Sequence, residues 1–211
     1  LNSGTSASSS TFWRGDATWA AAGATVVRSA RTSDTILAAA DQGTLIDITS
    51  GTFSQTFTAA ATLGSGWYCY IRNSGTGDIT LDPNSTEQID GLTSFVMYPG
   101  EARLVQCTGT AFTSVVLTAF TKSFTASGTF TKPPGYSSFS GMVWSGGNSG
   151  QRTNNTATES SGGGGGGCGD FNLLAAAVGT TETVTIGAGG AAVTTVANGN
   201  VGGTTSFGSH I

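Results

Sequence analysis

Three carboxylates, Asp82, Glu87 and Asp90, fall within one short stretch flanked by Pro83 and Gly91. Glycoside hydrolysis needs two carboxyl groups roughly 5 to 9.5 Å apart, one as acid and one as base or nucleophile. The same residues sit in the turn sequences Asp82-Pro83-Asn84 and Asp90-Gly91, where an Asp side chain hydrogen-bonds its own backbone without any catalysis. A second group of residues suits binding rather than cleavage. Tyr136 and Trp144 offer aromatic faces for the apolar side of a sugar, and Asn148, Gln151, Arg152, Asn154 and Asn155 offer planar amide or guanidinium donors for its hydroxyls. In the competing reading, Trp144 ends a core strand and the Asn/Thr cluster is a solvated loop.

Nucleophilic and metal chemistry are poorly provided for. Cys69, Cys107 and Cys168 do not show zinc-ligand spacing, and a catalytic triad would have to take its base from His210, near a chain end that normally frays. Cys69 and Cys107 lie in apolar strand-like runs and read as buried, reduced structural thiols. The sequence is expected to need no cofactor and no metal. Arg14-Gly15-Asp16 spells an integrin-binding tripeptide, but an inter-protomer Arg-Asp contact across a Gly turn explains it as well. Asn84-Ser85-Thr86 and Asn154-Asn155-Thr156 match glycosylation acceptors, which arise readily by chance in a Ser/Thr-rich chain.

The elements that must position these residues are β-strands. Runs rich in β-branched and aromatic residues cover Thr44 to Ile48, Thr52 to Phe57, Trp67 to Ile71, Asp78 to Leu81, Phe95 to Tyr98, Arg103 to Cys107 and Phe112 to Leu117. Each is bounded by Gly, Pro, Asn or Asp. Strands recurring every 8 to 12 residues point to an antiparallel sandwich or barrel. In Trp67 to Arg72 both alternating sets carry bulk, so both faces of that strand are expected to be covered. Only Thr35 to Ala40 looks helical, for a single turn. Beyond Phe120 charge falls away and glycines cluster. Strand candidates there are Ser123 to Thr125, Thr129 to Thr131, Ser137 to Trp144, Asp170 to Ala177, Thr181 to Ile186 and Ala192 to Val196. Six consecutive glycines at 162–167 imply either disorder or close backbone approach to another chain or a ligand, because ordering glycine costs more entropy than ordering any other residue.

Composition limits the partners. Gly (33), Thr (35), Ser (25) and Ala (25) dominate the 211 residues, whereas Leu, Ile, Val and Phe together number 41. Only 9% of residues are charged, against about 25% in typical domains. The self-repulsion that keeps disordered chains solvated is therefore missing. A core this lean is expected to be completed at an interface between copies of the chain. With net charge −4 and only two lysines, Lys122 and Lys132, there is no basic face for nucleic acid. No run approaches the roughly 20 apolar residues of a membrane span, so a soluble chain without membrane insertion is expected. The first residue is Leu and the end follows a Gly-rich stretch, which reads as a piece of something longer.

Three stretches resemble one class of proteins, the tail fibres and tail tips of bacteriophages. Ser10 to Ala20, with Thr11-Phe12-Trp13-Arg14-Gly15-Asp16-Ala17-Thr18-Trp19, is similar to a segment of tail-fibre shafts, with Trp13 for the usual Leu and Ala17 for the usual Gly. Thr35 to Asp47, Gly66 to Asn73, Ile89-Asp90-Gly91 and Tyr98-Pro99-Gly100-Glu101 resemble a β-rich fibre module. Ser127 to Gly135, the 162–167 run, Val184 to Gly190 and Gly203 to Gly208 resemble the glycine-rich tail-tip domain, although Pro133-Pro134-Gly135-Tyr136 and the polar stretch from Ser145 to Ser161 depart from its pattern. The resemblance implies a homotrimeric, extracellular virion part that joins other tail proteins and touches a bacterial surface glycan or outer-membrane receptor.

The resulting expectation is all-β: a docking or shaft segment at 1–24, an antiparallel β-sandwich-like module at 25–119, and a glycine-rich distal β module at 120–211. Phe12, Trp13, Arg14, Asp16 and Trp19 would dock between protomers, and Tyr136, Trp144, Asn148, Gln151, Arg152, Asn154 and Asn155 would hold the glycan. The expected function is structural and adhesive, without catalysis. A purely structural virion component and a polysaccharide depolymerase are the alternatives. Long cleaving fibres are repetitive β-helices, and no such period is visible here.

Overall fold

The computed structural model describes residues 11–13, 19–21, 25–154 and 160–211, the first two stretches by their backbone pairing. Strands in several sheets dominate, and among the described residues helix is confined to α1 (Ala60–Leu63) and a 3₁₀ turn at Ala39–Asp41. The 3₁₀ turn overlaps the single turn expected at Thr35 to Ala40. Nothing in the sequence pattern pointed to α1. β1 (Thr11–Trp13) and β2 (Trp19–Ala21) pair antiparallel, with Phe12 opposite Ala20 and Trp13 opposite Trp19. This part of the amino-terminal stretch is a pair of strands. Arg14 and Asp16 lie outside the described residues.

Strands β3 (Arg28–Arg31), β4 (Leu45–Ile48), β6 (Tyr68–Asn73), β9 (Ala102–Cys107) and β10 (Phe112–Thr118) form a five-stranded sheet in the order β10-β9-β6-β4-β3. A second sheet has the order β5-β7-β8, from β5 (Phe53–Thr56), β7 (Ile79–Asp82) and β8 (Phe95–Met97). The chain passes from β4 to β5 in the other sheet, returns through α1 to β6, and crosses again to β7. Strands entered in the same sense thus lie side by side, and β3-β4, β4-β6 and β5-β7 are parallel. The pairs β6-β9, β9-β10 and β7-β8 are antiparallel as expected, whereas the three parallel pairs correct the expectation of a wholly antiparallel module, which assumed that short strands pair with their sequence neighbours.

The sheet-to-sheet turns stack on one another. The amides of Ser74 and Gly75 both donate to the Ile48 carbonyl, at 2.8 and 3.0 Å. A Cβ on Gly77 would overlap the Gly51 carbonyl of the turn beside it, so only glycine fits there. The rungs are unequal in length, since Leu45 stands opposite both Arg28 and Tyr70. No fixed period therefore surfaces in the sequence.

One apolar cluster of sixteen buried side chains draws on both sheets, among them Ile46, Ile71, Leu81, Met97, Val105 and Phe112. Cys69 and Cys107 belong to it as free thiols, and burial pushes the Cys69 thiol well above its ordinary range. This cluster closes between the two sheets of one chain. The apolar residues are concentrated between Leu37 and Phe112 on alternating positions, while the glycine-rich remainder holds itself together by other means. On β6 one face is fully buried, and Tyr68 and Tyr70 on the other are half-buried and packed edge to face at 6.1 Å. That outer face carries Val115, Leu104, Tyr70 and Leu45 in one register row, with Val115 59% and Leu117 53% exposed.

Buried charge is paired. Asp47 is fully buried on β4 and accepts from Arg72 (2.9 and 2.7 Å), Arg28 (2.6 Å) and Ser74 (2.7 Å). Arg103 is fully buried on β9. It pairs with Glu101 at 2.6 Å, donates to Ser114 Oγ at 2.8 Å and lies over the Phe95 ring at 4.6 Å. Its remaining guanidinium nitrogen donates to the Pro134 carbonyl at 2.7 Å, and Tyr98 Oη exchanges hydrogen bonds with Thr131.

Those last contacts reach the carboxy-terminal region. There β11 (Gly128–Thr131), β14 (Thr181–Thr185) and β15 (Ser206–Phe207) form one antiparallel sheet, and β12 (Ser138–Trp144) pairs with β13 (Cys168–Leu174). The predicted strands at Ser123 to Thr125 and Ala192 to Val196 do not form. Phe130, Val184 and Phe207 make a second core with Tyr98, which stacks on Phe130 at 5.6 Å, and Phe120, Phe139 and Phe171 pack against it. His210 does not fray: its ring lies against Phe207 and its Nε2 is 3.2 Å from Glu182.

Candidate functional site

Beyond Trp144, which lies opposite Cys168, the chain no longer has the side chains to continue a packed sheet. It runs on instead as four extended stretches, 145–152, 160–167, 187–193 and 197–205. Their hydrogen bonds have a period of three. In the first stretch, the amides of Ser145, Asn148 and Gln151 donate to Gly167, Gly164 and Ser161 of the second, at 2.9 to 3.0 Å. Those of Gly146, Ser149 and Arg152 donate to Gly203, Asn200 and Ala197 of the fourth, and the Gly147 carbonyl accepts from Gly190 of the third. Three residues per turn without internal hydrogen bonds is the polyproline II conformation, in which backbone groups point outward in three directions. Here neighbouring chain, rather than water, meets them.

This packing explains the glycines. A Cβ on Gly163 or Gly166 would overlap a carbonyl of the first stretch, on Gly187 or Gly190 one of the fourth, and on Gly199 or Gly202 one of the first. Each pair is spaced by three. Of the two readings for the 162–167 run, close backbone approach is the one realised, and the approached chain belongs to the same molecule.

The stretches end where Arg152, closing the first, and Ala197, opening the fourth, exchange reciprocal backbone hydrogen bonds at 3.0 and 3.1 Å. A shallow depression of about 380 Å³ opens there, lined by Ser149, Gln151, Arg152, Ser160, Ala192 and Val193. Arg152 is exposed and no described residue pairs with its guanidinium. Asn154 is exposed beside it, and Asn155 lies outside the described residues.

The other expected glycan contacts are not gathered at this end. Asn148 is engaged within the slab, its Oδ1 accepting from the Gly202 amide at 3.0 Å. Trp144 is 62% exposed but sits at the base of the first stretch, about 25 Å from Arg152 at roughly 3.1 Å per residue. Tyr136 lies farther back still. Its ring packs on Phe120 at 5.3 Å and Phe139 at 5.7 Å, and burial beside Glu101 pushes its phenol well above its ordinary range. Sequence proximity misplaced Trp144 and Tyr136, because extended structure carries near neighbours far apart. Ser149, Ser160, Ala192 and Val193 were missed, and the three-residue glycine spacing in both halves was the signal for them.

The carboxylates considered for hydrolysis are separated by their roles. Both Glu87 oxygens accept from the Ala60 amide at 3.0 Å, capping α1. Asp90 accepts from the Ser114 amide at 2.7 Å and its hydroxyl at 2.5 Å. It thus bonds a distant strand rather than its own turn, which instead forms because Asp90 and Gly91 both adopt positive φ, 54° and 80°. Asp82 lines a separate open depression of about 520 Å³ with Asp34, Ile36 and Asn84. Among the described residues no group of three His, Cys, Asp or Glu side chains could hold a metal ion.

Comparison with known proteins matches residues 123–211 to a family described as a glycine-rich domain, so a domain of that kind is present here. No curated protein and no solved structure matches the chain.

Proposed function

We propose that this protein is a structural and adhesive part of a bacteriophage tail fibre, with residues 25–119 as a sandwich-like module and the glycine-rich domain as its distal, receptor-contacting end. The carrying observation is the slab of threefold stretches. Its interior is backbone locked to backbone, and at one end, its tip, the Gln151 and Arg152 side chains line an open depression. Side chains presented at the edge of a rigid scaffold are how recognition sites are commonly built. Gln151, Arg152 and Asn154 belong to that tip, and a surface glycan is the receptor class they suit.

The assembly is proposed as a homotrimer, with the apolar outer row of Val115, Leu104, Tyr70 and Leu45 facing neighbouring protomers and Phe12, Trp13 and Trp19 docking beside it. A partly exposed apolar row of this kind commonly marks an interface. Three copies would turn weak individual contacts into firm attachment, through avidity gains of about 10² to 10⁴.

Two measurements test the proposal. Native mass in solution is expected to give three chains, and labelled protein is expected to bind intact bacterial cells and to be displaced by extracted surface polysaccharide. A monomer refutes the trimer. A trimer that binds none of a broad panel of bacteria is a purely structural virion component.

A further inference from the structure

Two side chains lining the depression have an acceptor engaged and a donor open. Gln151 Oε1 accepts from the Ser161 hydroxyl at 3.3 Å, which leaves its Nε2 to donate. Ser149 Oγ accepts from the Asn200 amide at 2.7 Å, leaving its proton free. Arg152 adds a guanidinium with no acceptor on it among the described residues, and it is the only Lys or Arg beyond Lys132 in the sequence. Lys132 itself is spent on the carbonyls of Ala175 and Val178, at 3.0 and 2.6 Å. The Arg152 backbone is held on both sides, its amide by Ala197 and the preceding amide by Ser161, so the side chain projects from a fixed base.

A guanidinium that meets no acceptor among the described residues is open to a ligand, and its planar fork matches a carboxylate or phosphate through two parallel hydrogen bonds. From this geometry we infer that the tip binds an anionic group of a surface polysaccharide, a uronate carboxylate or a phosphodiester, with Arg152 as the anion clamp and Gln151 Nε2 and the Ser149 hydroxyl as supporting donors. Ala192 and Val193 supply an apolar flank for the carbon face of the sugar. The inference rests on the adhesive reading above and specifies its ligand.

The test uses the full chain against an array of bacterial surface polysaccharides. Each polymer that binds is compared with its carboxyl-reduced form and with its dephosphorylated form, which separates the two sources of negative charge. Binding is expected to disappear in one of the two treatments and to weaken with added salt. Arg152→Gln is expected to raise Kd by about tenfold to a hundredfold, with partial retention by Arg152→Lys. If polymers stripped of both charges still bind as well as the untreated ones, or if Arg152→Gln binds as well as the parent, the anion clamp is wrong while the adhesive function stands. Failure of every polymer on the array overturns the glycan as receptor, and failure to bind intact cells as well overturns the adhesive reading itself.

Discussion

Replacing Gly202 by Ala tests the packing of the slab at a position crowded by two carbonyl oxygens. A Cβ there would overlap the Gly146 carbonyl oxygen and come within 2.7 Å of that of Gly147, and backbone cannot swing aside as a side chain can. The fourth stretch would have to move away, loosening the bonds from Gly146 N to Gly203 O (3.0 Å), Gly203 N to Ala188 O (2.7 Å) and Gly202 N to Asn148 Oδ1 (3.0 Å). At about 1 kcal/mol each, these sum to roughly 3 kcal/mol. The gain of about 0.4 to 1 kcal/mol from restricting the unfolded chain offsets part of that. A net loss of about 2 to 3 kcal/mol corresponds to a fall in Tm of roughly 4 to 12 °C for a chain of this size. Gly165 is the control: a Cβ there meets nothing within 4 Å and its φ is not left-handed, so Gly165→Ala should leave Tm unchanged or raise it by about 1 to 4 °C. Calorimetric melting of both variants beside the parent decides the matter. Equal melting of the two, or a larger loss at Gly165, would refute the account of why these stretches are glycine.

Other perturbations probe the remaining elements. Arg72, followed by Ser74 and Arg28, holds the Asp47 carboxyl well below its ordinary value of 3.8, against the opposing effect of burial. Its contribution is therefore fully present above about pH 4 and lost as pH falls through the depressed value. Asp47→Asn is expected to lower stability at pH 7 by about 1 to 3 kcal/mol and to flatten that acid limb in urea unfolding followed from pH 6 to pH 2. Arg103→Ala leaves Glu101 buried and unpaired, and should cost about 3 to 5 kcal/mol in the same assay. Tyr98→Phe removes both hydrogen bonds to Thr131 while keeping the ring stack, for a loss of about 1 to 2 kcal/mol. Val115→Asp with Leu117→Asp should leave the circular dichroism spectrum intact while reducing the native mass to one chain, since both side chains already face solvent in the single copy.

Local pattern carried much of the fold. Strands such as Phe95–Met97 and Thr181–Thr185 announce themselves through β-branched and aromatic runs between turn residues, and Asp90-Gly91 is a tight turn as its sequence demands. Pairing was not legible, because parallel order arises from alternation between two sheets and leaves no mark on any one strand. Thr35 to Ala40 hinted at a helical turn, while α1 depends on Glu87, a distant residue whose carboxylate caps it. The slab shows the same division. Its glycines were visible and were read as permitting close approach, but the partner stretch, 197–205, lies far along the chain. Arg152 and Gln151 were found by residue type. Tyr136 and Trp144 were grouped with them through nearness in sequence, which extended backbone dissolves, and Val193 was overlooked because only the fold brings it there.

The threefold winding of the slab limits how the chain can change in length. Inserting or deleting one residue inside a stretch turns everything after it by a third of a revolution, so each glycine row faces outward and side chains collide with carbonyls. Only changes in multiples of three keep the rows aligned. Descendants of this scaffold should therefore change the length of these stretches in triplets of residues.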